Sequence, residues 1–202
     1  MTEETGKTQG LLAQAWLILL LAGLFGSSLA AVEIVLGPKI RENKRNETFG
    51  QVPRLVPGGS ARKSREVVLG GIRAIRVLSE EGKHLGWVLP ASGQGFADKI
   101  ELLVGLDRRA GKITGLYVLD QKETPGLGDY IKDEGRFRKY FRGQPAAEPL
   151  RVVKRKPRPG SGEIKAITGA TISSTSVCRI VNDAVREFRA ALEKRAAGEE
   201  KE

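Results

Sequence analysis

The sequence predicts an α+β protein: one N-terminal transmembrane helix followed by a single domain of mixed antiparallel sheet and helix. Three observations carry this. Leu11 through Val32 contains no charged residue, and at the helical rise of 1.5 Å per residue it is long enough to cross a hydrocarbon core of about 30 Å. Two pairs of short runs rich in strand formers follow, each pair joined by a polar turn. Near the C-terminus Val177, Ile180, Val181, Ala184, Val185, Phe188 and Leu192 recur at three- and four-residue steps. Arg179, Asp183, Arg186, Glu187 and Arg189 lie between them, the pattern of an amphipathic helix.

The segments expected are an N-terminal tail (1–10), the span (11–32), a juxtamembrane helix and linker (33–60), the domain (61–195) and a charged, frayed tail (196–202). A secretory signal peptide is the rival reading of the span, because Ser28-Leu29-Ala30 has the small-x-small pattern of a cleavage site. Against it, Glu3 and Glu4 offset Lys7, so the front of the segment is not strongly basic. The basic run from Pro38 to Phe49 suits a helix lying along lipid headgroups. Lys39, Arg41, Lys44 and Arg45 follow the span while only Lys7 precedes it, a charge bias that by itself keeps the domain cytoplasmic.

Within the domain, Ile72–Val77 and Leu85–Leu89 flank the turn Glu80-Glu81-Gly82-Lys83 and predict a hairpin. Lys99–Leu106 and Ile113–Leu119, joined by Asp107–Lys112, predict a second. Glu123-Thr124-Pro125-Gly126-Leu127-Gly128 reads as a turn in which proline fixes one φ and glycine supplies a positive one. Glu134 to Arg142 predicts a short basic helix with Phe137, Tyr140 and Phe141 toward the core, stopped by Gly143 and Pro145. Pro149 to Lys154 predicts another strand, and Pro157 to Gly162 a loop.

The loop leads to Thr168-Gly169-Ala170-Thr171-Ile172-Ser173-Ser174, a cluster of hydroxyls and a glycine immediately before the amphipathic helix. Ser173, Ser174 or Thr175 is placed to cap that helix. A helix start offers unpaired N–H groups and the positive end of the macrodipole, so an anion fits there. An ordinary capped helix behind a glycine turn has the same spacing.

Thr168-Gly169-Ala170-Thr171 resembles the [Ser/Thr]-Gly-Ala-Thr signature of the covalent FMN-binding domain family. The resemblance implies that the Thr171 hydroxyl is joined to the FMN phosphate in a phosphodiester by a separate flavin transferase, with Thr168 a neighbour. The family motif commonly opens with an acidic residue where this chain has Lys165. Glu123 to Gly128 is similar to a loop shared by the G subunits of Rnf complexes and the C subunits of sodium-pumping NADH:quinone reductases. It implies noncovalent flavin contacts from Glu123, Thr124, Gly126, Leu127 and Gly128, beside those of Thr168, Gly169, Ala170, Ser173 and Ser174. Ser92-Gly93-Gln94-Gly95-Phe96 also resembles a glycine-rich family segment.

The formal net charge of +10 raises the question of nucleic acid, and Lys154-Arg155-Lys156-Pro157-Arg158 is a basic cluster. No helix-turn-helix, zinc-finger or RNA-stacking pattern accompanies it, so the charge is directed to anionic lipid, acidic partner subunits or the flavin phosphate. The cluster also reads as a solvated loop. Cys178 is the single cysteine, which excludes an intramolecular disulfide and a cysteine-ligated iron–sulfur cluster within this chain. His84 is the single histidine, leaving a zinc site or hydrolytic triad without support.

Similarity to the family of Rnf G subunits implies a membrane-anchored flavoprotein that relays electrons through FMN in an ion-translocating ferredoxin:NAD oxidoreductase. It further implies membrane, iron–sulfur and flavin subunits of the complex and membrane lipid as partners, and no nucleic acid. The domain would lie on the extracytoplasmic side of the cell inner membrane. The alternatives are the C subunit of a sodium-pumping quinone reductase, a noncatalytic anchored anion-binding module, and a cationic lipid- or nucleic-acid-associated structural protein.

Overall fold

The computed structural model describes residues 3–199, with side chains described from Ala15 to Arg195. Of the two predicted tails, residues 1–2 and 200–202 lie outside the described residues. The chain divides into two compact units, one ending at Arg45 and the other beginning at Asn46.

Helix α1 (Glu3–Gly50) takes in both the charge-free run and the basic run after it. It is the one helix among the described residues long and apolar enough to cross a membrane, and its large side chains, Trp16, Leu24 and Leu29 among them, are exposed. A helix apolar all round and unburied by its own chain needs lipid or another protein around it.

The second unit is built on a five-stranded antiparallel meander, β1 (Arg65–Leu69), β2 (Ile72–Leu78), β3 (His84–Gln94), β4 (Lys99–Asp107) and β5 (Ile113–Asp120), ordered as in the chain. Both predicted hairpins form, as β2–β3 and β4–β5. They also join each other: β3 continues five residues past the expected Leu89 and pairs with β4 from Gly86↔Asp107 to Gln94↔Lys99. Ser92, Gly93 and Gln94 of the glycine-rich segment are therefore strand, because β4 supplies a full-length ladder of backbone partners. Strand β1 escaped the sequence reading, although Gly70-Gly71 ahead of Ile72 is a hairpin signal.

Strand alternation puts apolar side chains on both faces of the sheet. Ala74, Trp87, Leu89, Leu102, Val104, Leu116 and Val118 share one buried cluster with Val177, Val181, Val185 and Phe188 of helix α3 (Thr171–Glu199). The opposite face, with Ile75, Val77, Val88 and Leu103, is closed by Val52, Leu55 and Val56 at the short helix α2 (Val52–Leu55). A sheet covered on both sides explains why β4 reads Ile-Glu-Leu-Leu-Val rather than as strict alternation.

Two expectations are corrected. The region 134–142 is not an α-helix: two 3-10 segments, Gly128–Lys132 and Arg138–Phe141, flank hydrogen-bonded turns. Phe137 and Phe141 are fully buried and stacked edge to face, as the pattern required, while Tyr140 is half-buried. The 3-10 turns bring both rings inward without the length an α-helix needs. The strand expected at Pro149–Lys154 is the shorter β6 (Arg151–Val153), paired in parallel with β7 (Glu163–Lys165), too short to show a period in sequence.

Candidate functional site

Helix α3 starts at Thr171, six residues before the apolar period becomes regular at Val177. Ser173, Ser174 and Thr175 therefore lie within its first turns, and none of them caps it. Their hydroxyls are engaged elsewhere. Ser174 Oγ accepts the Ile167 N–H at 3.1 Å and donates to the Ala170 carbonyl at 2.9 Å, fixing the approach to the helix. Thr175 Oγ1 donates to the Thr171 carbonyl at 2.8 Å. Ser173 Oγ donates to Glu123 Oε2. The first backbone bond of the helix runs from Ser174 N–H to the Ala170 carbonyl at 3.0 Å. The amides of Thr171, Ile172 and Ser173 precede it and have no intrahelical acceptor, which puts the positive end of the helix dipole at Thr171.

Glu123 is buried although it belongs to a surface turn. Its Oε1 accepts the N–H groups of Phe96 at 2.9 Å and Ala97 at 3.0 Å, and its Oε2 takes the Ser173 hydroxyl. One carboxylate thus joins the β3–β4 connection, the Thr-Pro-Gly loop and the first turn of α3. Gly128 makes room for this: a Cβ there would stand 2.9 Å from Glu123 Cβ and 3.0 Å from Ser173 Oγ. The two motifs meet a second time at Gly169, where a Cβ would lie 2.9 Å from Leu127 Cδ1. Gly169 has φ +85°, and Gly126 has the positive φ, +73°, expected of the turn.

The residues singled out in the sequence fall into two groups. Gly126, Leu127, Gly169 and Thr171 are exposed on one assembled surface, whereas Glu123, Gly128, Ala170, Ser173 and Ser174 are buried. Thr124 and Thr168 flank the exposed group in sequence, and Thr168 is likewise exposed. The buried polar atoms of Glu123, Ser173 and Ser174 are satisfied within the chain, so these three hold the surface together from beneath. Sequence reasoning missed Ile172 and gave Phe96 little weight. Beyond the basic run, the exposed large apolar side chains are Val68, Phe96 at 60%, Leu127 at 43% and Ile172 at 58%. Three of these four sit on the segments that Glu123 ties together. Isolated exposed apolar residues are ordinary; three on segments tied to one carboxylate beside a helix start are compatible with a flat aromatic ligand carrying a phosphate.

Among the described residues no group of three or more His, Cys, Asp or Glu side chains is placed to hold a metal. Cys178 is buried on α3, and burial pushes its thiol up to about 12. His84 lies edge-on to Trp87 and bonds the Gly86 carbonyl through Nε2 at 3.1 Å. Burial, then the Arg76 charge, lower its pKa from the ordinary imidazole value.

The G subunit of an ion-translocating oxidoreductase complex from Pseudomonas aeruginosa (strain UCBPP-PA14) is 32% identical over 152 residues, covering 74% of this chain and 67% of that protein. The chain belongs to this family of G subunits. Within it, residues 95–186 match the family model described as an FMN-binding domain. That stretch opens at Gly95, beside Glu123, and contains the whole constellation around Thr171. The G subunit of the Na(+)-translocating ferredoxin:NAD(+) oxidoreductase complex of Acetobacterium woodii is 40% identical over 116 residues, 57% of this chain and 55% of the relative. The chain thus spans about half the length of that curated relative. Among solved structures, Shewanella oneidensis NqrC superposes with a TM-score of 0.51 at 26% identity, over 55% of this chain and 54% of that one.

Proposed function

We propose that this chain is the membrane-anchored flavoprotein subunit of an ion-translocating ferredoxin:NAD oxidoreductase, and that it relays electrons through FMN carried on Thr171. Bound FMN supplies an isoalloxazine ring that takes up and returns electrons one or two at a time. The chain's own residues then have positioning roles. Thr171 offers an exposed hydroxyl on the first residue of α3, where the unpaired amides of the first turn favour a phosphate's remaining charge. Phe96, Leu127 and Ile172 present apolar surface to a ring, and Thr168 borders it with a hydroxyl. The proposed linkage is a phosphodiester through Thr171 Oγ1, installed by a separate flavin transferase, which keeps the cofactor from dissociating. In this reading α1 anchors the protein through a single span, the domain is extracytoplasmic, and the other membrane, iron–sulfur and flavin subunits of the complex are its partners.

The observation that carries the reading is the convergence of the two motifs, joined by Glu123 to Ser173 and by Leu127 to Gly169, on a surface that exposes Thr171. The test is a denaturing gel viewed for flavin fluorescence, with the protein produced alongside an active flavin transferase. The parent chain and Thr168→Ala should give a fluorescent band, and Thr171→Ala should give none. A band of equal intensity from Thr171→Ala would remove the assignment, and a dark parent chain would leave only reversible anion binding.

A further inference from the structure

The electron-relay reading leaves one strongly charged surface unused, on the β6–β7 pair. Arg151, Lys154, Arg155, Lys156, Arg158 and Lys165 are all exposed there. Between positions 151 and 165 the one acidic residue is Glu163, and it is buried. Its Oε1 accepts from Arg151 Nη2 at 3.1 Å and Arg155 Nη2 at 2.7 Å, while Oε2 accepts the Arg158 backbone N–H at 3.1 Å. Buried Gln144 pins the same loop from below, accepting the Gly162 N–H at 2.9 Å and donating to the Glu163 carbonyl at 3.2 Å. The Arg151 and Arg155 guanidiniums and the Arg158 backbone are therefore held on Glu163, while Lys154 and Lys156 project from the same loop into solvent. Each guanidinium has five donors, and one carboxylate shared among three arginines engages only a fraction of them.

We propose that this surface docks an acidic protein partner. Rigidly held guanidiniums suit carboxylates, which they meet in a two-pronged geometry, and preorganisation lowers the entropy cost of docking. An anionic membrane surface fits less well. Interfacial binders combine basic residues with an apolar face, and no large apolar side chain is exposed between positions 151 and 165. The location gives the contact a use. Lys165 ends β7 and Thr171 begins α3, so six residues of chain keep this edge of the array within about 20 Å of the candidate attachment site. An acidic partner steered here would arrive beside the site, with an association rate that falls as salt rises. The surface stands on its own geometry; its use in electron relay rests on the reading of Thr171.

The test uses the full chain in detergent micelles with two probes, immobilised poly-L-glutamate and phosphatidylcholine vesicles containing about a third phosphatidylserine. The variant Lys154→Glu/Lys156→Glu/Lys165→Glu is compared with a control of equal charge change at other exposed lysines, Lys63→Glu/Lys83→Glu/Lys112→Glu. The array variant should bind poly-L-glutamate roughly tenfold more weakly than the parent and the control by less than about threefold, with vesicle binding lowered equally in both. Lys154→Gln/Lys156→Gln/Lys165→Gln, which leaves Glu163 and its arginines in place, should show the same order with a smaller loss. Equal weakening of poly-L-glutamate binding by array and control variants overturns the proposal. So does a loss of vesicle binding confined to the array variant, which would mark a lipid surface. Flavin fluorescence of the same samples reads Thr171 separately, so either inference can fail while the other stands.

Discussion

Ser173, in the first turn of α3, donates its hydroxyl to Oε2 of Glu123, 50 residues earlier in the chain. The other oxygen of the same carboxylate holds the Phe96 and Ala97 amides, so three segments distant in sequence depend on one side chain. Glu123→Ala should lower stability by about 3 kcal/mol, because it strands donors that the charged acceptor had satisfied. Glu123→Gln keeps the shape and one acceptor and should cost about 1 kcal/mol. Chemical denaturation measures both. If the Ala variant unfolds at the parent's midpoint, the carboxylate is not what joins these segments.

The contact of Leu127 with Gly169 predicts a coupled pair. Gly169→Ala meets both the positive φ and the Leu127 side chain, and should destabilise by about 2 kcal/mol. Leu127→Ala in the same chain removes the clash and leaves the backbone cost of about 1 kcal/mol. A double-mutant cycle should therefore give a non-additive difference; strict additivity would mean that Leu127 does not lie against Gly169.

Glu163 gives a pH prediction with a definite sign. The Arg158 amide, followed by the Arg155 side chain, holds its carboxyl at about 2, below the ordinary 4.5. A depressed carboxylate contributes stability that is complete above its unfolded value and disappears as pH falls through its folded one. The parent chain should therefore be more stable than Glu163→Gln above pH 4.5, with the gap closing between pH 4.5 and about 2. Urea titrations across that window test this, and a gap independent of pH would disconnect the charge from the clip.

Cys178 should be inert in the native chain. A buried thiol pushed up to about 12 holds almost no thiolate near neutral pH. Incubation with a thiol-reactive disulfide should leave the folded protein unlabelled and modify it once after unfolding. Rapid labelling under native conditions would show that the helix opens over the sheet.

The sequence by itself determined the elements whose signals are local. The charge-free run, the two hairpins, the glycine turn at Gly126 and the amphipathic face of α3 each follow from the spacing of a few neighbouring residues. The hydroxyl motif before α3 was legible on the same grounds, since a glycine and several threonines before a helix are readable without any partner. Tertiary structure decided which of those residues face outward. The family resemblance implied ligand contacts from Ser173, Ser174 and Glu123, yet burial requires their polar atoms to be satisfied, and they bond one another and the backbone. The partner of Ser173 comes from a loop 50 residues away, a distance at which sequence spacing carries no geometric information. The same reason hid the Glu163 clip, the joining of the hairpins into one sheet, and the tie from Glu123 to the Phe96 segment: each depends on which segments the core brings together.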